Sequence, residues 1–345
     1  VEANEVILQH VRFRAGDIRK KRCPDMGGRF TEDSLTISGK NIIVDHASAS
    51  WGIDECLSGA PKVQNVTIQY CIMSEGLSQA GLFHGECATD LAPGGERRHS
   101  MGSLFKPKNS DGDISIHHNL YAHNDNRNPA VGTYESTQSF SADIRNNILY
   151  NTPHTGYTSG VSRSITVNFV GNTLIFGPDS REKTIWKCNP TNNVTLFQAD
   201  NRRDLNRNGT FDGIDDGWAM FDQCDKRATA PFSMPSIVTH RAEEALAIVL
   251  TQAGATPWNR DAVDKRIVAS VYSGTGRIID SQEQVGGWPN LDPGMPPVDG
   301  DRDGMPDDWE KYHGTDPTKP DNNLDNDHNG YTALEEYLHA LAQKK

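Results

Sequence analysis

Short runs rich in Val and Ile recur along the chain, and each gives way to a turn built from Asn or small residues. They occupy residues 6–13, 41–46, 65–72, 114–121, 144–150 and 167–174. The aligned turn positions Ala47, Cys71, Asn119, Asn147 and Asn172 are 24, 48, 28 and 25 residues apart, the 48 being two turns or one turn with a long insertion. Short β-branched strands at this period predict a parallel β-solenoid, in which each coil buries its inward side chains only by stacking on its neighbours. Asn at a repeated turn accepts left-handed backbone angles and can hydrogen-bond its counterparts above and below. The repeated Asn residues are therefore expected to form a structural ladder rather than a ligand set. A β-sandwich also yields short strands, but it needs tight hairpin signals, which are sparse here. The fold class expected is all-β, a right-handed parallel β-helix. Because the first recognisable strand starts at residue 6, further N-terminal coils are expected to be missing from this chain.

The pattern changes after the solenoid. Residues 239–253 carry apolar positions at helical spacing and end at Gly254, which predicts a helix. Residues 286–298 are rich in Gly and Pro and read as a linker. The expected division is a β-helix over residues 1–285, a linker over 286–298 and a small helical calcium-binding module over 299–345.

Charge sharpens that division. Of the net −12, residues 292–345 carry −8, from ten Asp and three Glu against five Lys and Arg. The acidity thus belongs to the tail and points to metal binding there. No basic stripe offers to neutralise phosphates, so nucleic acid is excluded as a partner. No apolar run approaches the ~18–20 residues that span a bilayer, so no membrane partner is expected. The six cysteines, Cys23, Cys56, Cys71, Cys87, Cys188 and Cys224, contain no CxxC pair. Some disulfides or a set of small buried thiols are both open readings.

The most specific motif lies in the tail. Asp299, Asp301, Asp303, Gly304 and Glu310 match the calcium-loop template at every position, with Asp307 inside the loop. Asp325, Asp327, Asn329, Gly330 and Glu336 match it again. Alternate oxygen ligands, a Gly at the sharp turn and a final two-oxygen carboxylate suit the six to eight ligands calcium takes. Residues 204–209 open in the same way, but Asp215 stands where the final Glu belongs, and a solvated turn explains them equally well. In the solenoid, candidate chemistry sits on turns: Glu32 and Asp33, Asp45 and His46, Asp54 and Glu55 after Trp51, and the run from His123 to Pro129. Stacked coils can bring such turns together on one face and set an acidic cluster beside a cation.

These segments in combination resemble the pectate lyase family of polysaccharide lyases. Residues 42–46, ending in Asp45-His46, are similar to that family's strand ending in Asp-His, and residues 50–55 resemble the following segment in its bacterial branch. Residues 117–124 with Arg127-Asn128-Pro129 resemble the segment holding the catalytic arginine. Residues 275–281 and 285–289 and the calcium tail are similar to the C-terminal part of the same branch.

The resemblance implies a secreted, calcium-dependent lyase that cleaves an acidic polysaccharide, polygalacturonate, by β-elimination; a monomer is expected. By the same resemblance Arg127 is the base, although a guanidinium ordinarily keeps its proton. The plainer reading of Arg127 is a clamp on a carboxylate. Asp33, Asp54 and Glu55 are the candidates implied for the active-site calcium, either Asp54 or Glu55 serving as the second ligand. Arg97, Arg98 and His99 are the nearest cations for substrate binding. The family's second arginine, five residues after the base, falls here on Gly132. Three alternatives stay open: a lyase for esterified pectin or another uronan, a glycoside hydrolase using a carboxylate pair, and a non-catalytic carbohydrate-binding solenoid.

Overall fold

The computed structural model describes residues 1–17, 32–78, 99–291 and 294–343. It divides into two compact units, Val1–Pro289 and Asn290–Lys345.

In the first unit every named strand pairing is parallel, and each coil lays its strands on those of the next. The strand Glu55–Gln69 runs through two faces: its first half pairs with Met101–Phe105, its second with Gly112–His117. A third face stacks Arg12–Arg14, Ser48–Ser50, Ile72–Ser74, Leu120–Ala122, Ile148–Tyr150, Thr173–Ile175 and Arg202–Asp204. The expected parallel β-helix is therefore the fold. Because Val66 pairs directly with Ile114 and Ile72 with Leu120, the 48-residue step is a single coil with a long insertion.

Strict register explains the hydrophobic pattern. Ile42, Val66, Ile114, Ala142, Val167 and Leu196 form one inward row; Val44, Ile68, Ile116, Ile144 and Phe169 form the next. All are buried, and like side chains stack on like from coil to coil. The Asn ladder is also present. Asn119 Oδ1 accepts from the Cys71 amide (2.8 Å), Asn147 Oδ1 from Asn119 (3.1 Å), Asn172 Oδ1 from Asn147 (2.9 Å) and Asn201 Oδ1 from Asn172 (3.0 Å). One expectation needs correcting. The left-handed residue is the one before each ladder position, as at Tyr70, His118, Asn146 and Gly171, because the turn must bend there while the next side chain points inward.

Two helices cover the outside of the third face: α1 (Ala242–Gln252), within the expected helix, and α2 (Ala262–Ser273), which the sequence reading did not anticipate. Val249, Leu250, Val263, Ile267 and Val271 pack on Ile72, Leu120, Ile148 and Tyr150. That cover is why these short strands are apolar on both faces. Cys188 and Cys224 form a disulfide, Cys56 and Cys71 are buried thiols, and Cys23 and Cys87 lie outside the described residues.

The division between units falls inside the stretch expected to be linker. Trp288 from that stretch meets Trp51 edge-on, with ring centroids 5.8 Å apart. The second unit holds α3 (Asp307–His313) and α4 (Ala333–Ala342). No helix among the described residues is long and apolar enough to cross a membrane.

Candidate active site and metal centres

The first candidate site gathers at the turns leading into the face formed by Glu55, Met101–Phe105 and Ala130–Thr133. Asp33 precedes the strand Leu35–Asp45, Asp54 and Glu55 open the next coil, and Arg127 stands two coils on. One ligand oxygen from each of Asp33, Asp54 and Glu55 lies within 4.8 Å of the others. The Arg127 guanidinium ion-pairs with Glu55 and lies 3.6 Å from Asp54 Oδ1. It is a quarter exposed, so it faces both the cluster and solvent.

The cluster is held from below. Asp33 Oδ1 accepts from the Glu55 amide at 2.9 Å, and Oδ2 accepts from the Ser58 hydroxyl and from Thr36 Oγ1. Burial pushes the Asp33 carboxyl above its ordinary range, against the hydrogen bonds of Ser58 and Thr36 and the charges of Arg127 and His99. Burial also raises Asp54, against the attraction of His99 and Arg127, and Asp33 adds to the rise. Asp54 Oδ1 and Glu55 Oε1 are buried without a hydrogen-bond partner, their company being the ion-pairing Arg127 and, for Asp54, His99. Crowded, partly buried carboxylates held above their usual range suit a hard divalent cation, which would relieve both the burial and the mutual repulsion.

Arg127 is placed by its neighbours' backbone. It adopts φ 58°, its amide donates to Asn126 Oδ1 (2.7 Å) and its carbonyl accepts from the Ser103 amide (2.7 Å). Gly102 makes this approach possible, since a Cβ there would stand 2.7 Å from the Arg127 carbonyl oxygen and 2.6 Å from Asn128 Oδ1.

The other expected residues divide. His99 Nδ1 lies 3.3 Å from Asp54 Oδ1, so this candidate substrate cation sits on the acidic cluster. Arg97 and Arg98 lie outside the described residues. Asp45 does not join the cluster: Gln9, His46 and Gln69 hydrogen-bond it at the far end of its strand. Gly132 has no room for the arginine that the resemblance would put there, because even a Cβ would come within 2.0 Å of the Ser159 carbonyl oxygen. Lys106 was missed. It follows Phe105, which pairs with Val131, so it falls in the register of Gly132, and its ammonium lies 4.1 Å over the Tyr134 ring. Only the strand register reveals it.

In the second unit, Asp299, Asp301 and Asp303 draw within 4.8 Å of one another. Asp299 Oδ2 accepts from the Gly304 amide (3.1 Å) and Asp307 Oδ1 from Gly300 (2.6 Å), so the chain wraps the pocket as the template requires. A second group of the same tightness joins Asp303 and Glu310 to Asp321, a residue outside the template. Asp325, Asp327 and Glu336 do not gather to that distance; Asn329 Nδ2 donates to Asp327 and, at 2.7 Å, to Glu336. At residues 204–212, Asn206 and Asn208 donate to Asp212, closing a self-contained turn.

No family model matches the sequence. Curated relatives do. A probable pectate lyase C of Aspergillus flavus is 34% identical over 98% of this chain and 73% of its own length. One of Aspergillus fumigatus is 32% identical over 98% and 72%. Both are fungal, which gives the expected bacterial branch no support. A solved thermostable pectate lyase overlaps 64% of this chain and 65% of its own at 15% identity, with a TM-score of 0.38, too slight a likeness to carry argument.

Proposed function

Since the chain belongs to the pectate lyase family, we propose that it cleaves polygalacturonate by calcium-assisted β-elimination at the cluster of Asp33, Asp54, Glu55 and Arg127. The observation that carries the proposal is the convergence of three carboxylates and one guanidinium from three coils. Asp33, Asp54 and Glu55 would hold the ion. A bound calcium would neutralise the uronate carboxylate and stabilise the charge that builds beside it as the C5 proton leaves.

Arg127 takes that proton as the neutral guanidine, having first given its own proton to water. The C5–H electron pair then forms the C4–C5 double bond, the C4–O bond breaks, and the departing oxygen gains a proton from water. A bound ion would compete with the guanidinium for the oxygens of Asp54 and Glu55, which would free Arg127 from its ion pairs. Lys106 offers the substrate a cation in the register of Gly132, and His99, Arg97 and Arg98 remain candidates for the same role. Asp299, Asp301, Asp303, Asp307 and Glu310, with Asp325, Asp327, Asn329 and Glu336, form a structural calcium module in the tail. The family's secreted setting fits a polymeric extracellular substrate.

The test is formation of the ultraviolet-absorbing unsaturated uronate from polygalacturonate, which hydrolysis does not produce. Arg127→Lys should remove turnover by more than about a thousandfold while substrate binding and folding persist, because the residue acts on the transition state. Asp54→Asn should raise the calcium needed for half-maximal activity. Near-normal turnover by the lysine variant would exclude Arg127 as base; an unchanged calcium requirement would exclude Asp54 as a ligand.

A further inference from the structure

Glu310 opens the last part of the first tail loop from within α3, and its side chain is completely buried with neither carboxylate oxygen hydrogen-bonded. It takes part in no ion pair among the described residues: Lys311 is drawn to Asp308 and Lys319 to Asp316. What faces it instead is more negative charge, with Asp303 and Asp321 each placing an oxygen within 4.8 Å. A buried carboxylate without a donor, set among others, is a costly arrangement unless a cation belongs at its centre.

Asp321 is brought there by specific bonds. Its amide donates to Asp303 Oδ2 (3.2 Å), and the neighbouring Asn322 side chain donates to the Asp303 carbonyl (2.8 Å). Asp321 Oδ2 is used by the Asp316 amide (3.0 Å), which leaves Oδ1 buried and without a partner. Asp301 Oδ2 is likewise buried and without one.

We infer that Asp321 is a ligand of the cation held by the first tail loop, adding from outside the loop a carboxylate to those of Asp301, Asp303 and Glu310. The inference rests on the reading of the tail as a calcium module. All the donors are hard oxygens, and six to eight of them with some freedom of geometry suit calcium over magnesium. Ligation by Asp321 also fastens residues 314–324 to the loop. Within that segment, the Leu324 and Asn322 carbonyls accept from Ala333 and Leu334 at the start of α4. Filling the first site thereby orders the approach to the second loop.

The experiment is calcium binding by the full chain, followed by calorimetry and by chymotryptic cleavage after Leu324 at fixed calcium. Asp321→Asn should weaken one tail site by about tenfold or more, at least the loss typical when an outer partner of a metal ligand is removed. It should also speed cleavage after Leu324, and Asp321→Glu should recover part of the affinity. Equal losses in the Asn and Glu variants would trace the effect to packing and overturn the inference. If Glu310→Gln weakens binding while Asp321→Asn titrates like the parent, the inference fails and the calcium reading stands. If neither variant changes calcium binding, both fail.

Discussion

Asn147 shows how much a single side chain does in this fold. Fully buried, it accepts from the Asn119 amide and side chain and donates to the Ile116 carbonyl and to Asn172. Removing it strands the buried Asn119 amide and Ile116 carbonyl on the preceding coil, each costing ~1–3 kcal/mol. Asn147→Ala should therefore lower unfolding stability by about 3 kcal/mol or more in chemical denaturation. A loss under ~1 kcal/mol would mean that the ladder rearranges around the gap. The ladder was legible because Asn recurs at the coil period. The role of Gly132 was legible only as an absence; its reason, a carbonyl from the next coil where a side chain would start, needs the strand register.

Among the elements, α2 was the one the sequence hid, and its docking explains why. Asp264 on its buried face is completely enclosed and looks like a fault in an apolar stripe. It is answered by Ser48 Oγ (2.6 Å) and by Arg14 (2.9 Å), which stands far away in sequence on the first strand of the third face. Asp261, capping the same helix, binds Arg14 as well. Arg14 is itself only 6% exposed and would keep Asp261 alone, so Asp264→Ala should cost roughly 1–3 kcal/mol for the buried donors it strands. Hydrogen exchange should then show α2 opening ahead of the coils beneath it; unchanged protection of α2 would contradict this account. The tail's loop motifs, by contrast, were legible because their acidic residues are neighbours in sequence. Asp33, Asp54, Glu55 and Arg127 were found through resemblance, since only stacking brings them together.

For the whole molecule the distinctive liability is acid. Burial lowers His117 and His123 to about 4 and His118 to about 3, with the His117 and His240 charges also disfavouring His118. His123 cannot take a second proton without losing Asn151 Nδ2, which donates to its Nδ1 at 2.9 Å. The unfolded chain binds these protons below pH 6.5 and the folded chain does not until near pH 4, so stability must fall as pH drops through that window. Each histidine held neutral contributes about 1.4 kcal/mol per pH unit to the slope. Unfolding midpoints measured from pH 7 to 5 should decline, and His123→Gln should flatten the decline by up to that amount. A variant with an undiminished slope would show that His123 titrates freely.

The same register that stacks the core leaves the length of each coil unconstrained. Steps of 24 and 48 residues return to the ladder at equivalent places, because the extra chain falls between the strands that carry the register. The closure entropy of a longer excursion grows only slowly with its length. Excursions between the stacked strands can thus be lengthened, trimmed or exchanged with the strands left in place. For an engineer, the protein is a fixed spine with exchangeable walls.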